Sequence, residues 1–206
     1  MIKEKLGYRL DGWIHTALPF LFQRPVDPNL LTVLGAVVSV GAAACFATGS
    51  LVVGGFVALA GGFFDLVDGV VARHHGTSTR FGSFLDSTLD RLVDMALLLG
   101  LSIHFAQLGR PGGVLLAGVA LVVTVLVSYS KACAERIVGP ITVGVLERGE
   151  RVGLIAVGAI FGLVIPALWV VTIGSTITVG QRFAYAHREM TRMDAAERAV
   201  PGERVG

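Results

Sequence analysis

The sequence predicts an all-α, polytopic membrane protein with six transmembrane helices preceded by an interfacial amphipathic helix. Three observations carry that prediction. Of 206 residues, 53% are hydrophobic and 16% are charged, with a mean hydropathy of +0.73, whereas a soluble domain has about a quarter of its residues charged. The apolar residues do not alternate with polar ones at the spacing of a half-buried helix or strand. They run instead through windows of roughly 20 residues, the length a helix needs to cross a bilayer, from about Leu30 to Leu59, Met95 to Ser130 and Val152 to Gly180.

The elements follow in chain order. Residues 1–25 mix charges with aromatics and hold no compact apolar block ahead of a small-residue cleavage site, so no cleavable secretory signal is expected. They read as a helix lying in the interface, with Trp13, Phe20 and Phe22 toward lipid and Lys3, Lys5, Arg9 and Arg24 toward headgroups. Pro28 and Asn29, just ahead of an apolar run, start the first span at 28–49. Five more spans are expected at 51–74, 80–107, 111–137, 148–170 and 172–190, with IPALW at 165–169 connecting the last two. Gly35, Gly41, Gly54, Gly55, Gly61 and Gly62 suit close helix packing in lipid.

Residues 1–190 form one membrane domain in this reading, and the charged segment 191–206, with Pro201 and Gly202, forms a polar tail expected to be poorly ordered. No internal repeat is visible. Basic residues gather in the N-terminal segment, around Arg73 and Arg80, between Lys131 and Arg151, and in the tail. The positive-inside rule then puts both termini and the 73–80 connection in the cytoplasm of a cell-membrane protein. A net charge of +2 gives no reason to expect a nucleic-acid partner. Cys45 and Cys133 lie in apolar segments without CxxC spacing, and no disulfide is expected.

One stretch breaks the apolar pattern. FFDLVDGVVARHHGTSTRFGSFLDSTLDRLVD, residues 63–94, places five aspartates at membrane depth, where ionisable groups are costly and mark function. Asp65 and Asp68 are three apart and Asp86 and Asp90 four apart, so each pair shares a helix face, and the short HHGTST turn brings the pairs together. Like charges so placed repel unless a cation fills the site. All-oxygen donors favour Mg²⁺, Mn²⁺ or Ca²⁺ over Zn²⁺, and such ions commonly clamp a phosphorylated substrate. Gly69 and Ala72 continue the face of Asp65 and Asp68 and leave room for a flat group, as Gly82 does on the facing helix. Arg73 offers a fork of donors to phosphate and Thr79 a hydroxyl. His74 and His75 read as turn residues, and Asp94 as a group behind the ligands or in water.

The pattern Asp65-x-x-Asp68-Gly69-x-x-Ala72-Arg73, then Gly82-x-x-x-Asp86-x-x-x-Asp90, resembles at every fixed position the signature of the CDP-alcohol phosphotransferase family. The resemblance implies a homodimer of six-helix subunits that moves a substituted phosphate from a CDP-alcohol, usually CDP-diacylglycerol, to an acceptor hydroxyl and releases CMP. It implies that Asp65, Asp68, Asp86 and Asp90 hold one or two Mg²⁺ or Mn²⁺ ions and that Asp90 is also the general base. It further implies a CDP-alcohol pocket lined by Gly69, Ala72, Arg73, Thr79 and Gly82, with Asn29, Leu30, Leu31 and Thr32 from the first span.

Downstream, Lys131, Arg148, Arg151 and Arg182 are expected at the cytoplasmic ends of the last three spans. Together they suggest a second anion site, which a phosphorylated acceptor would fill. Here the chain is similar to the actinobacterial phosphatidylinositol-phosphate synthase branch of the family, with its S-Y-x-K, E-R-x-E-R and Q-R elements. That likeness implies that Lys131, Arg151 and Arg182, with Arg148, bind the phosphate of inositol 1-phosphate. Two positions depart from the branch: Gly149 stands where proline is expected, and Asn29 where aspartate can occur. Glycerol 3-phosphate is the alternative acceptor, and a divalent-cation carrier the alternative class.

Overall fold

The computed structural model describes residues 27–75 and 79–199, and among these the secondary structure is entirely helical. Six helices follow one another: α1 (Pro28–Ala47), α2 (Leu51–His75), α3 (Arg80–Gln107), α4 (Pro111–Val138), α5 (Arg148–Ile160) and α6 (Val164–Ala199). The N-terminal segment expected to lie in the interface falls outside the described residues.

Local chemistry sets most of the helix ends. Asp27 caps α1 by accepting from the Asn29 N–H at 2.9 Å, with Pro28 at the first helical position, where its missing N–H is no loss. Thr79 caps α3 in the same way, its Oγ1 accepting from the Gly82 N–H at 2.9 Å. Pro111 opens α4, and Gly139, at φ +80°, follows its last residue. At α5, Glu147 and Glu150 form a reciprocal capping box, the Glu147 N–H donating to Glu150 Oε2 at 2.7 Å.

The first four helices fall within about two residues of their expected bounds, whereas the last two do not. The expected break near 171 lies instead at residues 161–163, where Gly162 adopts φ +71°, so α5 has only 13 residues. Pro166 does not separate two spans; it sits in the first turn of α6, where proline breaks no intrahelical bond. Helix α6 also corrects the expected disorder of the tail's first part, because it runs on through the charged stretch to Ala199. Residues 200–206 lie outside the described set.

Among the described residues, four helices are long and apolar enough to cross a membrane: Pro28–Ala47, Leu51–Val71, Pro111–Val138 and Val164–Arg198. Helix α3 is long enough but carries its charges in its first half, and α5 is short. Helix α1 packs on α2 and α3, α4 on α3 and α6, and α5 on α2 and α6. The common core holds Phe46, Leu97, Leu98, Leu101, Leu168 and Val171 among small residues such as Ala42, Ala117, Ala120 and Ala156. Backbones touch where glycine allows it: a Cβ at Gly100 would stand 2.4 Å from the Ala43 carbonyl oxygen, and one at Gly55 2.7 Å from that of Ala156. Outward faces are oily, with Val37, Phe56, Leu115, Val122, Trp169 and Ile173 all exposed, as lipid contact requires. Cys45 and Cys133 are free thiols.

Candidate active site: aspartates braced by arginines

The site forms where the end of α2 meets the first half of α3 and the start of α5. Asp65 and Asp68 descend from α2 and Asp86 from α3, and one carboxylate oxygen of each lies within 4.8 Å of the other two. Asp68 is 6% exposed, and its Oδ2 has no hydrogen-bond partner. A buried carboxylate oxygen without a donor is costly. Three converging carboxylates with such an orphan oxygen fit a hard divalent cation, which takes oxygen ligands.

Asp90, the fourth signature aspartate, is outside that trio and is tied to it by an arginine. Arg148 Nη1, arriving on α5, lies 2.8 Å from Asp65 Oδ2 and 2.8 Å from Asp90 Oδ1. Arg148 is the first residue of α5, a position where the helix dipole disfavours a cation. The two carboxylates offset that cost. A cation at the first helical position, four residues before an apolar run, is the signal by which such a group can be found in a sequence.

Arg151, one turn along α5, is 3% exposed and donates from Nη2 to Asp94 Oδ2 at 2.9 Å. Asp94 is itself 6% exposed, and its Oδ1 lies 3.6 Å from Arg148 Nε. Arg182, also buried, reaches from α6 to the connection between α4 and α5, where its Nε donates to the Val143 carbonyl at 3.1 Å and its Nη1 to that of Val127 on α4. Two residues with no sequence signal pin the same connection: Glu135 accepts from the Ile141 N–H at 3.0 Å, and Thr178 Oγ1 from the Leu146 N–H at 3.1 Å. Lys131 is half-exposed and lies 3.7 Å from Glu135.

Three of the residues expected to line the CDP-alcohol pocket, Asn29, Thr79 and Gly82, also meet. A Cβ on Gly82 would lie 2.9 Å from Asn29 Oδ1 and 3.1 Å from Thr79 Oγ1, so the starts of α1 and α3 approach closely around that glycine. Thr32 lines a narrow cleft with Ser39, Asp65, Asp90 and Arg148, its hydroxyl donating to the Pro28 carbonyl. Leu31 is buried and Leu30 exposed, so the two leucines point to different surroundings. Gly69 follows Asp68 on α2, as do Ala72 and Arg73, whose side chains lie outside the described residues. From Asp65 and Arg148 a cavity of about 310 Å³ opens between α2 and α5, lined by Leu59, Phe63, Leu66 and Val152. A carboxylate and a guanidinium at one end and hydrocarbon at the other suit a substrate with a charged head and an apolar body.

Comparison with known proteins gives this arrangement a family. The sequence profile of the CDP-alcohol phosphatidyltransferases matches residues 26–186. The phosphatidylinositol phosphate synthase of Streptomyces avermitilis is 40% identical over 196 residues, covering 87% of this chain and 80% of the relative. The archaetidylinositol phosphate synthase of Pyrococcus horikoshii is 33% identical, covering 80% and 86%. Among solved structures, Mycobacterium tuberculosis phosphatidylinositol phosphate synthase with CDP-DAG bound superposes with a TM-score of 0.72 at 28% identity, covering 88% of this chain and 94% of that one. The same enzyme in complex with manganese and citrate also gives 0.72, at 33% identity over 78% and 82%. The chain is a transferase of substituted phosphate groups and belongs to the CDP-alcohol phosphatidyltransferase family.

Proposed function

We propose that the chain transfers the phosphatidyl group of CDP-diacylglycerol to a hydroxyl of inositol 1-phosphate, giving phosphatidylinositol phosphate and CMP. The observation that carries the acceptor assignment is the arginine pair on α5: Arg148 touches Asp65 and Asp90, and Arg151 lies one turn behind it. A phosphorylated acceptor held by such cations has its hydroxyl near a carboxylate that can take the proton. The two kinds of named relative differ in their lipid and share inositol phosphate in their names, which supports the same acceptor here.

In this reading Asp65, Asp68 and Asp86, with Asp90 at the edge, hold one or two Mg²⁺ or Mn²⁺ ions, whose charge when bound offsets the charge developing on the departing nucleotide. Asn29, Thr79 and Gly82 receive the cytidine nucleotide beside Leu30, Leu31, Thr32, Gly69, Ala72 and Arg73, and the cavity between α2 and α5 takes part of the lipid. Asp90 accepts the proton of the acceptor hydroxyl. The freed oxygen bonds to the lipid-bearing phosphorus as the bond to CMP breaks, and CMP leaves with the bridging oxygen. Arg148, Arg151, Arg182 and Lys131 provide for the acceptor phosphate, with Arg148 also keeping Asp90 and Asp65 in place.

The placement in the membrane belongs to the same proposal. The subunit has six spans: α3 crosses with its charged half at the level of the site, and α5 runs from that level to the far side. Both termini and the site face the cytoplasm, and two subunits form a homodimer. The distribution of basic residues supports the orientation.

The test is CMP release by the purified protein in detergent with Mg²⁺ and CDP-diacylglycerol, against inositol 1-phosphate, glycerol 3-phosphate, free inositol and serine in parallel. Release with inositol 1-phosphate alone is the expected result. Release with glycerol 3-phosphate instead keeps the reaction and removes the acceptor assignment.

A further inference from the structure

Asp94 lies outside the signature, yet it is among the most enclosed charged groups described, at 6% exposed. A carboxylate so buried demands partners, and its partners come from another helix. Arg151 Nη2 donates to Oδ2 at 2.9 Å, and Arg148 Nε stands 3.6 Å from Oδ1. Asp94 follows Asp90 by four residues, so the two share a face of α3 about 6 Å apart along its axis. Arg148 and Arg151 are three apart and share a face of α5. Asp94 therefore tethers Arg151 one turn along from the proposed base, with Arg148 close by.

We infer that Asp94 is a positioning residue for the phosphorylated acceptor, an inference that rests on the function proposed above. Its carboxylate holds one edge of the Arg151 guanidinium, while Arg148 Nη1 is committed to Asp65 and Asp90. An untethered arginine carries about 2 kcal/mol of rotamer entropy, which an incoming phosphate would have to overcome on binding. With Asp94 in place, that cost is met during folding. The phosphate then docks at a fixed height, and the hydroxyl is delivered to Asp90. Gly82, on the nucleotide side, lies twelve residues earlier, about 18 Å along α3, so nucleotide binding does not depend on Asp94.

The experiment measures steady-state CMP release by the full-length protein in detergent, varying inositol 1-phosphate at saturating CDP-diacylglycerol and then the reverse. The variants are Asp94→Asn, Asp94→Glu, Arg151→Gln and the double Asp94→Asn/Arg151→Gln. Asp94→Asn is expected to raise the acceptor KM by about tenfold or more while the CDP-diacylglycerol KM stays within about twofold. Asp94→Glu, which keeps the charge, is expected to recover part of the loss. The double variant should be no worse than the worse single, because both changes cut one tether. A role confined to stability would lower Tm and kcat without moving one KM alone; that result, or additive effects in the double variant, overturns the inference. Should Asp94→Asn fail to fold, as judged by size exclusion, Asp94→Glu and Arg151→Lys carry the same one-sided KM shift as the criterion. Failure of the parent reading shows elsewhere, in the wild type: use of glycerol 3-phosphate changes the probe and leaves the expected split intact, whereas use of no phosphorylated acceptor overturns both.

Discussion

Replacing Arg148 by alanine removes the group that joins the two halves of the carboxylate site. Its Nη1 makes two contacts of 2.8 Å, one to Asp65 on α2 and one to Asp90 on α3. The Asp65 contact is a hydrogen bond to a charged group, which contributes about 1.5–3 kcal/mol, and the Asp90 contact is a partly buried ion pair of comparable length. The Arg148 side chain is 23% exposed, which puts each contact near the lower bound, about 1.5 kcal/mol. Losing both then costs about 3 kcal/mol, or roughly a hundredfold at about 1.4 kcal/mol per decade. Because the proposed base, Asp90, is one of the two partners, the loss is expected in kcat as well as in acceptor KM. Arg148→Lys should recover about tenfold, since an ammonium is a point charge and one contact is the most it can restore with good geometry. The assay is initial-rate CMP release with saturating CDP-diacylglycerol across a range of inositol 1-phosphate. An Arg148→Ala enzyme within about threefold of wild type in kcat/KM would refute the reasoning, because the arginine would then be neither brace nor acceptor ligand.

Three further outcomes are expected. Asp90→Asn abolishes turnover while CDP-diacylglycerol binding remains measurable by calorimetry; full activity in that variant removes Asp90 as base. Chelation by EDTA stops CMP release, and Mg²⁺ or Mn²⁺ restores it better than Zn²⁺, because the donors at Asp65, Asp68 and Asp86 are all oxygen; turnover that survives exhaustive chelation argues against the metal assignment. Gly100→Val lowers stability by about 1–3 kcal/mol, because its Cβ would meet the Ala43 carbonyl at 2.4 Å, whereas Gly41→Val, with open space around it, is tolerated; equal thermal shifts in detergent for the two variants would remove the close backbone contact from the account.

The signature spacing made the aspartates legible because helical geometry turns three- and four-residue intervals into shared faces. Long apolar windows, with Pro28 and Asn29 ahead of the first of them, likewise carried the first four helices. Pro166 misled the placement of the last two, since a proline reads the same whether it ends one helix or sits in the first turn of the next. Pairings across the fold were illegible in principle. Arg148 and Asp65 are separated by 83 residues and Arg151 and Asp94 by 57, and nothing in the local pattern says that these cations already have anionic partners. For the same reason Asp94 read as a bystander, and the separation of Asp90 from the other three carboxylates was not foreseen. Lys131 shows the converse: its end-of-helix position suggested the anion site, but its described partner is Glu135 one turn away.

The nine-residue connection from Gly139 to Glu147, held by Glu135, Thr178 and Arg182, leads directly into Arg148. On the proposed assignment, the donor chemistry is written in the chain before it, on α1 to α3, and most of the acceptor chemistry in the chain after it. A change in the length of this connection moves Arg148 and Arg151 against Asp65, Asp90 and Asp94, so the acceptor side cannot be re-spaced without disturbing the carboxylate site that it braces.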